Sequence, residues 1–419
     1  MKNRSFSLVS ACLAYLCLII PAGAQPTTGV GVAVRDYVLS ILEDHPALGQ
    51  ARAELDATRA MARSQTQPLY NPEIEFEYED AASETKGVGV TQTLDLSGKR
   101  SARSGLAAAD TTTAEARFDI LRKALLAEIL TTLSNYQKAA EALQVSQQRV
   151  RLDQEFLAIA QRRRESGDLP QSELLTARLA LAEAQAAASA ASIDFSRAEQ
   201  SLQALAGPLQ AVPPPLVGIP AKALPSLAAV AMAELPEIRL AAANTVAAQS
   251  GIRVAKRNRI PDPTVGLRFG EEREVSPLGS MESATLFGVR LSIPIPVRNT
   301  FSAEVDAAHA GLIAAEQGYQ EIHRKVEARL AATLRRYQTA SEAWQSWAGQ
   351  GADPLESQRV LLQRLWDAGE ISAVDYIIQL NQTFATETAG IELKGRLWAT
   401  WFEWLDASAF IDEWMENIQ

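Results

Sequence analysis

The chain is poor in the residues that most often carry chemistry. Its only cysteines are Cys12 and Cys17. Both fall in a segment with the order of a secretory leader: basic Lys2 and Arg4, an apolar run from Phe6 to Ile20, and a small-residue site ending at Ala24. With cleavage after Ala24, residues 25–419 contain no cysteine, which excludes a disulfide scaffold, a thiolate nucleophile and a cysteine metal site. Leu8-Val9-Ser10-Ala11-Cys12 also resembles a lipoprotein cleavage box, so a lipid on Cys12 stays open beside cleavage at Ala24. Histidine is scarce too. His45, His309 and His323 are the only three, and none is spaced with carboxylates as a metal site. His45, standing before Pro46, reads as a helix start, while His309 and His323 sit among polar helical residues. No phosphate loop or nucleophile elbow occurs. No enzyme and no bound cofactor are expected.

Excess positive charge and long apolar runs are missing as well. The formal charge is -10, and loss of Lys2 and Arg4 with the leader makes it -12. So acidic a chain is a poor partner for nucleic acid. After the leader nothing approaches the ~20 apolar residues of a membrane helix. Entry into a bilayer must therefore use strands.

What the chain has is a duplication. His45-Pro46-Ala47-Leu48 corresponds to Leu235-Pro236-Glu237-Ile238, and Asn71-Pro72-Glu73-Ile74 to Asp262-Pro263-Thr264-Val265. Ser166-Gly167-Asp168-Leu169 corresponds to Ala368-Gly369-Glu370-Ile371. The expected organisation is a leader at 1–24, a first repeat at 25–206, a Pro-rich linker at 207–225, a second repeat at 226–410 and a C-terminal tail at 411–419. Each repeat reads as a helix (about 36–66 and 227–258), two strands, a very long helix, a tight turn and a returning helix.

The strands alternate with period two. Ile74, Phe76 and Tyr78 share one face; Glu73, Glu75, Glu77 and Glu79 share the other. Val265, Leu267 and Phe269 alternate with Thr264, Gly266 and Arg268, and Phe287, Val289 and Leu291 with Gly288, Arg290 and Ser292. Such strands have one apolar and one polar face, and their lengths approach the ~9–11 residues of a membrane-spanning strand. From Lys99 to Glu165 no proline interrupts, and apolar residues such as Leu126, Ile129, Leu133 and Tyr136 recur at threes and fours. A helix of that length is about 100 Å long and must lie beside others in a bundle or tube. The second copy runs from about Asn299 toward Asp367, with breaks only at Gly349, Gly351 and Pro354. Four strands cannot close a barrel in lipid, where open edges leave backbone groups unpaired, so other copies must complete the sheet. Three chains would give twelve strands. The fold class is mainly α, with long hairpins forming an α-barrel above a small β part.

This order resembles the TolC family of outer-membrane efflux factors, over about residues 33 to 410. Its paired turn signature is matched by Glu165 to Leu175 and by Asp367 to Ile377, and the segment Thr91 to Arg100 is similar to the CzcC branch, which serves heavy-metal cation pumps. The resemblance implies a homotrimer embedded in outer-membrane lipid and reaching into the periplasm. It also implies a periplasmic adaptor and an inner-membrane RND-type transporter as partners. By the same resemblance, a periplasmic gate falls on Glu173 and Asp375, six residues after Gly167 and Gly369; the family's next acid would fall at Ile378, a departure from the pattern. The turns Gly167-Asp168-Leu169-Pro170 and Gly369-Glu370-Ile371-Ser372 become adaptor-docking points. As turn chemistry they need no partner, and Glu173 and Asp375 are also ordinary acids for helix starts. From the strand alternation, Glu73, Glu75, Glu77 and Glu79 would form an acidic band along the lumen. A duct for organic drugs or for type I protein secretion is the alternative cargo. A periplasmic adaptor, with usually one hairpin, and a secreted structural coiled coil are the rival classes.

Overall fold

The computed structural model describes residues 28–81, 83–209, 212–220, 230–275, 281–351 and 354–417. The leader, with Cys12, lies outside them. The first repeat contains α1 (Thr28–Asp44), α2 (Pro46–Gln65), β1 (Glu73–Asp80), β2 (Ser83–Thr93), α3 (Lys99–Glu165) and α4 (Gln171–Ala206). The second contains α5 (Pro236–Asn258), β3 (Thr264–Val275), β4 (Met281–Ser292), α6 (Ser302–Gly351), α7 (Pro354–Ala368), α8 (Ala373–Ser408) and α9 (Ile411–Asn417).

The expected helix at 36–66 is two helices. Pro46 lacks an N–H and suits a first turn. His45 closes the start, its Nδ1 accepting from Ala47 N at 3.2 Å. The expected helix at 227–258 begins later, at Pro236, after a 3-10 turn at Met232–Glu234; residues 227–229 are outside the described set. Within the C-terminal tail, residues 411–417 are helical. They form α9, whose Ile411 and Met415 are buried and whose Asp412 accepts from both Arg122 nitrogens, at 2.8 and 3.1 Å. The linker is also stitched down where described: Gln137 donates to Pro214 O at 2.7 Å and accepts from Leu216 N at 2.9 Å.

The strands form one antiparallel sheet in the order β1-β2-β3-β4. α3, at 67 residues, is about 100 Å long. Its partner in the second repeat is divided into α6 and α7, at the glycines and Pro354. Helices this long share no single core, and two form among the described residues. The larger gathers α1, the middle of α3 around Ile129, the end of α8 around Phe402 and Trp404, and α9. The smaller lies where the hairpins turn, built on Phe156, Leu174, Trp366 and Tyr376. Among the described residues no helix is long and apolar enough to cross a membrane.

Candidate duct wall and gate

The sheet presents its apolar residues to the outside. Phe76 is 84% exposed, Phe287 72% and Val289 67%. The register places Ile74 beside Val90 and Leu267, and Phe76 beside Val88 and Phe269, so one continuous apolar face results. A soluble protein rarely leaves such a face to water. Strand lengths of 11 to 12 residues in β2, β3 and β4 match a bilayer crossing. β1 and β4 are the sheet's edges. In lipid their unpaired backbone groups require further strands.

The opposite face holds the four acids singled out from the sequence. Glu75 stands across from Gly89, Arg268 and Gly288, and Glu73 across from Thr91, Gly266 and Arg290. Glycine dominates the neighbours for a steric reason. A Cβ on Gly87 would come within 3.3 Å of Arg268 Nε, so the missing side chain leaves a floor for the arginine. Arg268 crosses that floor and pairs with Glu77. The band is thus acidic and partly neutralised, with the pairing arginine legible in sequence only as an offset.

At the other end, both hairpin turns have the same backbone. Gly167 N donates to Arg164 O and Asp168 N to Arg163 O at 2.8 Å; Gly369 N donates to Trp366 O and Glu370 N to Leu365 O at 2.9 Å. This is a Schellman termination, and Gly167 and Gly369 supply its left-handed residue at φ 85° and 74°. Leu169 is buried in the smaller core, while Asp168 is exposed and accepts from Ser166 Oγ at 2.8 Å. Glu370 and Ser372 are exposed, and Ile371 packs against the same core.

The two gate candidates have different surroundings. Glu173 Oε2 accepts from Ala373 N at 3.3 Å, capping the first turn of α8 from the other hairpin. Asp375 is exposed and tied locally, its carboxylate accepting from Ser372 Oγ at 2.7 Å while Ser372 Oγ accepts from Asp375 N. Ile378, where the second acid would stand, is 58% exposed.

Residues not singled out from the sequence complete the tip. Arg163 donates to Trp366 O at 2.6 Å and to Asp367 O at 3.2 Å, and its guanidinium stacks 4.3 Å from the Trp366 ring centroid. Phe156 lies 4.7 Å from Trp366 and 4.9 Å from Tyr376. Tyr376 donates to Gln363 at 2.8 Å, and burial pushes its hydroxyl pKa up, with the charge of Asp153 adding to the effect. The aromatic residues near both turn signatures were the one available signal.

A buried polar knot joins sheet to helices. Lys99 Nζ donates to Asp262 Oδ2 at 2.8 Å and Tyr70 Oη to the same oxygen at 2.7 Å. Asp95 accepts from the amides of Lys99 and Arg100, both at 2.8 Å, and so closes the start of α3. Asp262 belongs to the second repeat and its donors to the first.

A strand pair with an apolar exterior, repeated and continued into helices of duct length, defines an outer-membrane channel subunit. The sequence profile of the outer membrane efflux protein family matches residues 38–208 and 227–401, one match per repeat, and the chain belongs to that family. Its fold is that of several solved channels. CusC, in a structure concerned with folding and transmembrane channel formation, is 18% identical with TM-score 0.72, over 90% of this chain and 92% of that one. The CmeC outer membrane channel of Campylobacter jejuni is 14% identical with TM-score 0.73, covering 92% and 90%. The open state of the MtrE outer membrane channel of Neisseria gonorrhoeae is 17% identical with TM-score 0.71, covering 90% and 88%. No curated protein matches the chain significantly.

Proposed function

We propose that three copies of this chain form the exit duct of a tripartite, RND-type efflux system, and that its cargo is divalent heavy-metal cations. The apolar sheet face with two open edges supports the assembly: it is stable only when further strands close it in lipid. The cargo reading rests on one observation above the others. The polar face carries Glu73, Glu75, Glu77 and Glu79 on one edge strand, against Arg268 on the inner strand β3 and Arg290 on the opposite edge strand β4. Three such bands around a bore create a field that favours cations.

The gate sits at the tip. Asp375 from each copy would point toward the axis and repel its equivalents, while Glu173 holds the start of α8 in place. The exposed turn residues Gly167, Asp168 and Pro170, with Gly369, Glu370 and Ser372, would meet the adaptor; Leu169 and Ile371 would brace those turns from inside.

A duct for organic drugs or secreted protein is favoured by one feature. The polar face has glycine at five positions and offers cargo few side-chain groups. Reconstitution in planar bilayers with native mass determination tests the assembly: a trimer with discrete conductance steps is expected, larger after Glu173→Ala with Asp375→Ala. Reversal potentials in a salt gradient test the band. Replacing all four band glutamates with glutamine is expected to reduce cation preference, and an unchanged preference would remove the argument for metal cargo.

A further inference from the structure

The tip core contains an ionisable group with no part in the reading above. Asp153 lies on α3, one turn before Phe156, and its side chain is fully buried. Neither carboxylate oxygen has a hydrogen-bond partner among the described residues. Its nearest cation is Arg149, one turn back, with Nε 3.8 Å from Oδ2. Arg149 is committed elsewhere: its Nη2 donates to Glu183 on α4 at 2.9 Å, and its Nε makes no hydrogen bond. An exposed acid on α4 thus holds the arginine that a buried acid on α3 lacks.

The charged and titratable groups facing Asp153 are Arg149 from its own helix, Glu183 from α4 and Tyr376 from α8. α7 supplies the Trp366 ring, and its Asp367 acts on Tyr376. Burial lifts the Asp153 carboxyl from the usual range to about 6, with Arg149 opposing and Glu183 adding. The folded tip therefore holds this proton more tightly than the unfolded chain does. Stability from the neutral carboxyl is full at pH below the ordinary aspartate value. It is lost as pH rises through about 6.

We propose that Asp153 is a proton-operated lock on the hairpin tip: neutral, it rests inside the aromatic core and the two hairpins pack; ionised, it draws Arg149 away from Glu183 and loosens the contacts that hold the gate. The arginine has two competing acids within reach on two helices, which is the bistable element such a switch needs. This rests on the gate reading, because only there does tip packing control flow.

The test uses the full chain in lipid nanodiscs. Hydrogen exchange at residues 150–165 and 362–380, corrected for the intrinsic pH dependence of exchange, is followed from about pH 5 to about pH 8, with bilayer conductance alongside. Opening of the wild-type tip is expected to rise roughly ten- to a hundredfold across that range. Asp153→Asn should stay protected throughout, and Asp153→Leu serves if the amide is poorly accommodated. Glu183→Gln, which frees Arg149 to pair with Asp153, should move the midpoint to lower pH. A wild-type pH response in both neutral variants, or an unmoved midpoint in Glu183→Gln, overturns the lock. Exchange that follows pH while conductance stays flat, with conductance also unmoved by Glu173→Ala and Asp375→Ala, upholds the lock and removes the gate reading. Conductance that responds to those two changes while the Asp153 variants keep the wild-type exchange response removes the lock alone.

Discussion

The two repeats follow one plan, yet they differ in how their helix ends are satisfied. In the first, α3 begins under its own Asp95 carboxylate and runs unbroken for 67 residues to a Schellman turn. In the second, the corresponding rod is two pieces, α6 and α7, and its ends at the tip lean on the first repeat. Arg163 covers the last carbonyls of α7, and Glu173 covers the first amide of α8. The charges have the right signs: a cation at a helix C-terminus and an anion at an N-terminus are each favourable. At the sheet end the dependence is reversed in detail but not in sense, since the second repeat's Asp262 is satisfied by Lys99 and Tyr70 of the first. Duplication supplied two copies of a backbone. The side chains then made one copy the frame and the other the part held by it.

Four changes put that asymmetry under strain. Trp366→Ala removes a fully buried side chain from the tip core and is expected to destabilise it by about 3–5 kcal/mol, with exchange rising in α7 and α8 before α3; equal exposure of both hairpins would mean that neither is the frame. Asp262→Ala leaves Lys99 buried without its partner, and a loss of about 3 kcal/mol is expected in denaturant unfolding. Arg163→Ala should cost the tip about 2 kcal/mol through the lost helix-end hydrogen bonds and ring contact, and Arg163→Lys should recover only part of it, because a lysine cannot stack its charge flat on Trp366. Glu173→Gln is the mildest, at about 0.5 kcal/mol, read as faster exchange at the first amides of α8 with no change at α4. A change at α4 instead would place the residue's role on its own hairpin.

Much of this architecture was legible in the sequence. Strict alternation in Ile74-Glu75-Phe76-Glu77-Tyr78 fixes a two-faced strand, and the absence of proline between Lys99 and Glu165 permits one rod. The break at His45 was half visible: Pro46 announces a helix start, but apolar spacing on both sides reads as one continuous helix. Contacts between repeats were invisible, because Glu173 meets its donor, the Ala373 amide, 200 residues away and no local pattern records that. Asp153 was hidden for another reason. An acid four residues after Arg149 reads as a solvated pair on a helix surface, and only the tertiary packing of the tip helices buries it. The helix near the end of the chain left no sequence signal, since a seven-residue helix is too short to show a period.

The polar face of the sheet carries glycine at 87, 89, 266, 270 and 288. The closest approach of the five is at Gly270, where a Cβ would lie 2.5 Å from the Lys86 carbonyl oxygen. Taken together, the five leave a wall with few handles. Facing a lumen, it would show a passenger peptide groups and water between its glutamates and arginines, with few close-fitting contacts to hold it. Such a lumen surface would sort by charge and not by shape, and any choice among cations would be made before the cargo arrives.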